Sequence, residues 1–349
     1  MKWKKGALSW AMYDWANSAF MTTVVAGFFP VFFKEYWSTS ASSIDSTLRL
    51  GSAITIASII TAVMAPFLGS IADIGGRRKM LLIPFAGLAI MATGLLYFVP
   101  AGSWQTAIAL YVTAYCCFLA AIVFYDSLIV SVSDEKDVHK VSGLGFSLGY
   151  LGGGVLFTLN VLMTLFPSSF GIASPKDAVQ ISFLSVSVWW TLFSLPLIFR
   201  VKEVKGQDVS VTESIHLGMV QLVQTVRHIL KDKQILLFLL AYWFYIDGVD
   251  TIIVMAVDYG MSLGLQRNDL ISSLLLVQFV GFPFAYAFGY FGQRFGAKAM
   301  IFLGLFVYIL ITILAYYLDE GSYNIAGITI KKFYVIAFLV GTSQGGIQA

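Results

Sequence analysis

Apolar runs of roughly 20 residues, the length a helix needs to cross the hydrocarbon of a bilayer, recur from one end of this sequence to the other. Ten are legible, at residues 7–33, 50–72, 80–99, 107–132, 143–166, 179–199, 235–256, 270–291, 299–318 and from 333 onward. Hydrocarbon offers no partner to backbone N–H and C=O groups, so spanning segments must be helices or closed barrels. Strand alternation is absent over any useful length, which predicts an all-α polytopic membrane protein. Composition agrees: 58% of the 349 residues are hydrophobic and 12% are charged, against about 25% charged in soluble domains. Much of that apolar surface is expected to face lipid.

Several functions are disfavoured by the same residues. The net charge of +3 is small and gives no footprint for nucleic acid. Cys116 and Cys117 are adjacent within an apolar run, which is neither a disulfide framework nor a zinc pattern. His139, His216 and His228 all fall between the runs, so no haem ligand or histidine relay is expected in the membrane. No Walker A, Gly-x-Ser-x-Gly or His-Glu-x-x-His pattern occurs, which argues against an ATP-driven pump or an intramembrane hydrolase. Neither an enzyme nor a cofactor is expected. A channel is a weaker reading, because no filter-like segment is visible.

Lysines and arginines set the orientation. With the N-terminus (Lys2, Lys4, Lys5) taken as cytoplasmic, sixteen basic residues fall in inside loops and six (Lys34, Arg49, Lys176, Arg267, Lys331, Lys332) in outside loops, which accounts for all 22. The first run is longer than a signal-peptide core and lacks a small-residue cleavage site, so it is expected to be retained. A multi-pass location with a cytoplasmic N-terminus is expected.

Residues 200–233 form the one long inside loop. Its first part is polar. Ser210-x-x-Glu213 then reads as a capping box, and Ile215, Met219, Leu222, Val223, Val226 and Leu230 follow at helical spacing. A surface helix under the bundle is predicted; a calmodulin-like target is less favoured because the charge is slight. The loop divides the chain into a six-helix unit (1–199), a linker (200–233) and a second unit (234–349).

The two units repeat one another. Asp14-x-x-Asn17-Ser18 in the first span has a counterpart in the seventh, Asp247-x-x-Asp250-Thr251. "GSIADIGGRRK" after the second span is echoed by "GYFGQRFGAKA" after the eighth, aligning Gly69, Asp73, Gly76 and Arg78 with Gly289, Gln293, Gly296 and Lys298. Parallel repeats of this kind are a transporter architecture.

On those residues the chain resembles the major facilitator superfamily, whose loop motif Gly-x-x-x-Asp-x-x-Gly-Arg-Lys/Arg is filled by Gly69, Asp73, Gly76, Arg77 and Arg78. "YDWANSAF", "SGLGFSLGYLGGG" and "FYIDGVDT" further resemble its vacuolar amino-acid effluxer-like, autophagy-related branch, which includes bacterial relatives. The resemblance implies two pseudo-symmetric six-helix bundles, a monomer, and secondary transport of a small polar solute, with amino acids the implied class. It implies a latching, conformational role for the loop motif. The family has twelve helices, whereas the tenth run here is the last, so the second bundle is expected to be incomplete. A transport-inactive sensor or scaffold that keeps the fold is the alternative.

Gly145, Gly149 and Gly153 form a small-xxx-small face suited to close helix approach. Gly149-Tyr150-x-x-Gly153-Gly154 also resembles the antiporter motif Gly-Pro-x-x-Gly-Gly with Tyr in place of Pro; packing is the favoured reading.

The polar residues inside the runs are the candidate site. An aspartate in mid-membrane costs about 2.5–3.5 kcal/mol on insertion scales and is expected to face a cavity or a partner. Asp14, Asn17 and Ser18 share one helical face; beside them Tyr13 is a further candidate for substrate contact. Asp247 and Asp250 are the favoured proton-coupling pair, expected to face Asp14 across a central cavity. Asp126 lies near the inner end of the fourth span and is a weaker candidate. Asn160 and Gln278 are polar enough to contact substrate. The coupling ion is expected to be a proton, with sodium the alternative.

Overall fold

The computed structural model describes residues 4–39, 42–203, 211–319, 321–325 and 328–348. Among them, nine helices are long and apolar enough to cross a membrane: Ala7–Trp37, Ile44–Ser70, Arg78–Phe98, Trp104–Val132, Val138–Leu165, Pro175–Arg200, Lys233–Ser262, Arg267–Phe295 and Ala297–Tyr316. A tenth helix, Lys332–Gln348, is shorter at 17 residues. These are called the first to tenth helices below. The expected linker helix runs over Val211–Lys231 and lies along the second helix; Ser210 of the expected capping box falls outside the described residues.

Strands were not expected, yet Ser322–Ile325 pairs antiparallel with Ile328–Lys331, Tyr323 opposite Ile330. Four-residue strands are too short for alternation to rise above the apolar background, so this hairpin was invisible in the pattern.

The first helix is longer than its apolar run and is not uniformly α. Phe20–Phe28 and Phe33–Trp37 take the wider π geometry. On an α-helix, four-residue steps drift progressively around the axis; a π turn advances less per residue and brings the stripe back. Asp14, Ser18, Thr22 and Ala26 therefore all reach one central cavity.

Aromatic rings fill the first unit. The largest fully buried side chains include Trp37, Trp190, Tyr13, Tyr111, Tyr125, Phe20, Phe29 and Phe183. Phe29 stacks on Tyr111 at 4.1 Å and Trp10 on Tyr125 at 4.4 Å between ring centroids. The Trp10 indole N–H also donates to the Tyr125 carbonyl at 2.9 Å, so its polar edge is satisfied inside the bundle. Outward, Ile59, Val63, Phe238, Trp243, Phe244 and Phe306 are exposed, as a lipid-facing surface requires.

The fifth helix lies between the first helix and the eighth, and glycine makes both approaches possible. A Cβ on Gly145 would sit 2.8 Å from the Asp14 carboxylate, on Gly149 2.6 Å from Ser18 Oγ, and on Gly152 2.5 Å from the Trp15 carbonyl. On the opposite side, a Cβ on Gly143 would lie 3.0 Å from Gly289 Cα, and one on Gly154 3.0 Å from Gln278 Cβ. The small-residue face anticipated from spacing is thus the face that packs on the first helix.

Candidate functional site

A cavity of about 350 Å³ lies between the two units. The first helix contributes Asp14, Asn17, Ser18, Met21 and Thr22; the fourth contributes Tyr115, Phe118, Ile122 and Asp126; the fifth contributes Phe146 and Tyr150. Facing them are Tyr242 and Asp250 of the seventh helix, Ser273 and Gln278 of the eighth, and Phe333, Ile336, Gln344 and Gln348 at the tenth. Helical spacing explains the fourth-helix stripe, since residues 115, 118, 122 and 126 recur every three or four positions.

Asp14 is 7% exposed and pressed against Gly145. Asp126 and Asp250 are exposed to the cavity, and Gln348 Nε2 donates to the Asp250 carboxylate at 3.2 Å. Asp14, Asp126, Asp250, Asn17, Ser18 and Gln278 therefore share one space. Three expected members do not line it. Tyr13 turns into the aromatic core, its ring 4.9 Å from that of Tyr125, because adjacent helical residues point about 100° apart. Asn160 is fully buried within the first unit, where Ser185 Oγ donates to its Oδ1 at 3.0 Å. Asp247, three residues before Asp250, is exposed but outside the cavity wall, so the expected two-acid face contributes a single acid. Asp126, the weaker candidate by sequence, is on the wall.

The two ends of the cavity differ. At one end the first and seventh helices are joined by Lys34 and Asp258, 2.5 Å apart with side chains 10% and 3% exposed. Thr47 Oγ1 adds a hydrogen bond to Asp258 Oδ2 at 3.2 Å, and Glu35 pairs with Arg267 at 3.1 Å. Val31, Val257 and Leu270 pack together at the same level. At the other end, where Arg77–Lys79 lie, the exposed side chains of Asp126 and Tyr242 border the cavity.

The loop motif builds a reciprocal helix cap. The second helix continues past its apolar span to Gly75, and Gly76 ends it at φ +56°, a left-handed conformation that favours glycine. The third helix starts after Arg77, and its Arg78 and Lys79 backbone N–H groups donate to the Glu203 carboxylate, Lys79 at 3.4 Å. Lys79 Nζ in return donates to the carbonyls of Ile198 (2.6 Å) and Val201 (2.9 Å), at the end of the sixth helix. Anion at a helix N-terminus and cation at a C-terminus both suit the helix dipole. Burial pushes the Glu203 carboxyl up, against the opposing pull of those two N–H groups. Neither Glu203 nor Lys79 was singled out by the motif. The side chain of Asp73 lies outside the described residues, and a Cβ on Gly69 would meet Val123 only at ordinary contact distance. In the second copy, Gly296 repeats the positive φ at +86°. Gly289 is held against the His139 carbonyl, Gln293 is half-buried and Lys298 is exposed.

Residues 2–349 match the family described as "Vacuole effluxer Atg22 like". A Bacillus subtilis protein described as an uncharacterized MFS-type transporter, YxiO, is 37% identical over 98% of this chain and 78% of its own length. Autophagy-related protein 22 of Eremothecium gossypii is 20% identical over 71% of this chain and 57% of its own. Among solved structures, the xylose transporter XylE from E. coli in an inward-open conformation aligns with a TM-score of 0.60 at 14% identity, covering 97% of this chain and 80% of that one. A mutant form of the nucleoside transporter NupG aligns at 0.53 and 14% identity, covering 98% and 79%.

Proposed function

Because the chain belongs to the Atg22-like vacuole effluxer family of the major facilitator superfamily, we propose that it is a secondary active transporter that carries a small polar organic solute by alternating access. The observation that carries this reading is the cavity between the units, walled by three carboxylates, bolted at one end by Lys34–Asp258 and bordered at the other by exposed Asp126 and Tyr242. Rocking the units about the glycine-packed fifth and eighth helices would open the bolted end and close the other. Lysine and arginine bias supports a cytoplasmic N-terminus and linker; in this reading the membrane is a bacterial plasma membrane and the bordered end faces inward. Under this reading Gly69, Asp73, Gly76, Arg77 and Arg78, with their copy at Gly289, Gln293, Gly296 and Lys298, gate the conformational change.

Coupling is to protons through Asp14, Asp126 and Asp250, with Asp247 at the cavity margin; sodium is the other candidate. Neutralising a carboxylate removes a charge whose passage through hydrocarbon is costly, so a protonated carrier reorients more readily. Asn17, Ser18 and Gln278 supply neutral contacts to solute, amino acids being the class that the family resemblance suggests, and the carrier works as a monomer. Solute flux into liposomes holding the protein, with and without an imposed pH gradient, tests this. The gradient should drive accumulation, and Asp14→Asn, Asp126→Asn or Asp250→Asn should keep exchange while one or more lose accumulation. Wild-type protein that binds solute but never moves it across the membrane sinks the transporter reading.

A further inference from the structure

The start of the tenth helix is clamped on both sides of Phe333. Lys331 Nζ donates to the Asp269 carboxylate at 2.5 Å, and Lys332 Nζ to that of Asp319 at 2.7 Å. The Lys332 backbone N–H donates to the Gly321 carbonyl at 3.1 Å. On the far side, Tyr334 OH donates to Asp269 Oδ1 at 3.3 Å. With its chain neighbours held in this way, movement at residue 333 falls to its ring.

That ring stands between two spaces. A second cavity, about 120 Å³, lies at the bolted end and is lined by Gln266, Asp269, Asp319, Lys331 and Phe333 among others. The side chains of Asp319 and Lys331 are 61% and 48% exposed, so this outer cavity meets water. Phe333 also lines the central cavity, and among the described residues it is the one residue common to both walls. Below it the central wall follows the tenth helix through Ile336 and Val340 to Gln344 and Gln348, a helical stripe that ends on Asp250. The ring packs as well on the cluster of Val31, Val257 and Leu270 that closes this end.

Resting on the transporter reading above, we infer that Phe333 is a gate residue: its ring shuts a side entrance from the outer surface, and its swing admits water and protons to the central cavity while Lys34–Asp258 stays joined. The ring is half-buried with open space on two sides, which leaves room for a second staggered rotamer. Rings inside the first unit, such as Phe29 stacked on Tyr111, have close-packed neighbours instead. Side-chain rotation is also far faster than the rocking of whole units. The outer cavity holds about four waters at the roughly 30 Å³ each takes in the liquid. Sites for organic ligands are larger, roughly 300–1,000 Å³, so the side entrance passes protons along water and leaves the solute to the main route between the units.

The test is proton leak without solute. Purified protein is placed in liposomes carrying an imposed pH gradient, read with an internal pH dye. The inner end of the cavity is already bordered by exposed Asp126 and Tyr242, so removing the ring completes a path. Phe333→Ala should dissipate the gradient several-fold faster than the wild type, Phe333→Leu less so, and Phe333→Trp no faster. Spin labels on cysteines at Thr39 and Asn268 should keep their wild-type distance, because the bolt stays shut. Wild-type decay in both Phe333→Ala and Phe333→Leu overturns the gate, and so does Phe333→Trp leaking as fast as Phe333→Ala. A leak that comes with a longer label distance also overturns it, since the ring would then be a brace between the units. Solute flux in the same liposomes keeps the two ideas apart. Wild-type flux with no leak in the variants keeps the transporter and loses the gate; leaking variants of a protein that moves no solute keep the gate and lose the transporter.

Discussion

The described parts of the two units differ in how they are packed. In the first, the largest fully buried side chains, from Tyr13 to Trp190, are all aromatic, and each ring touches another. In the second, the buried cluster is mostly aliphatic, with Val249, Val277, Ile311, Ile336 and Val340 among its members and Tyr308 beside them, and it borrows Tyr150 from the first unit. Much of the seventh helix, including Phe238, Trp243 and Phe244, is exposed. Within lipid no hydrophobic force drives helices together, so packing and polar contacts decide their association. The first unit is thus held by its own interior, and the described part of the second by the seam it shares with the fifth helix and by ion pairs at one end. Among the described residues, the first unit is therefore the more tightly packed of the two.

Glycine substitutions should break the comparison most severely. Gly152→Val places a side chain where a Cβ would lie 2.5 Å from the Trp15 carbonyl; overpacking against backbone costs about 1–3 kcal/mol or more. Gly248→Ala in the seventh helix meets nothing within 4 Å and should be neutral or stabilising by up to about 1 kcal/mol. Thermal unfolding of the two purified variants in detergent checks the contrast. Equal tolerance at both sites would show that the first unit is not the more tightly packed.

Next in size is the bolt. Lys34→Gln leaves Asp258 buried without its cation, a cost that opening at that end relieves by letting water reach the carboxylate. The expected result is a population shift toward opening at that end, read as a longer spin-label distance between cysteines placed at Thr39 and Asn268 in a background lacking Cys116 and Cys117. The paired change Lys34→Gln with Asp258→Asn should recover part of the shift. An unchanged distance distribution would mean that the seam alone holds the units together.

The smallest effect is expected at the reciprocal cap. Glu203→Gln removes the anion from the third helix N-terminus, and caps of this kind contribute about 1 kcal/mol. A fall of a few degrees in unfolding temperature, with solute binding unaltered, is the expected reading. Loss of binding without loss of stability would give Glu203 a role at the cavity instead.

The helices were legible because hydrocarbon length and hydropathy act locally, residue by residue along the chain. The close-packed face Gly145, Gly149, Gly153 was legible for the same reason: its spacing is a property of one helix. Partners across helices were not. Lys34 with Asp258 spans 224 positions, and Glu203 reaches back to Arg78, and neither distance leaves a trace in spacing. Asp247 and Asp250 looked equivalent on their own helix; only the position of the tenth helix, with Gln348 on Asp250, separates them. Tyr13 and Asn160 share the polar character of cavity residues but are consumed by the interior of the first unit.

The central claim is that one cavity is reached alternately from two sides of the membrane. Ser18→Cys on its wall, in a background lacking Cys116 and Cys117, can be probed with a thiol reagent that does not cross the bilayer, in right-side-out and in inside-out vesicles. The account predicts reaction from the side of Arg77–Lys79 in the resting protein, and reaction from the opposite side once Lys34→Gln releases the bolt. Labelling from only one side in both proteins would contradict it.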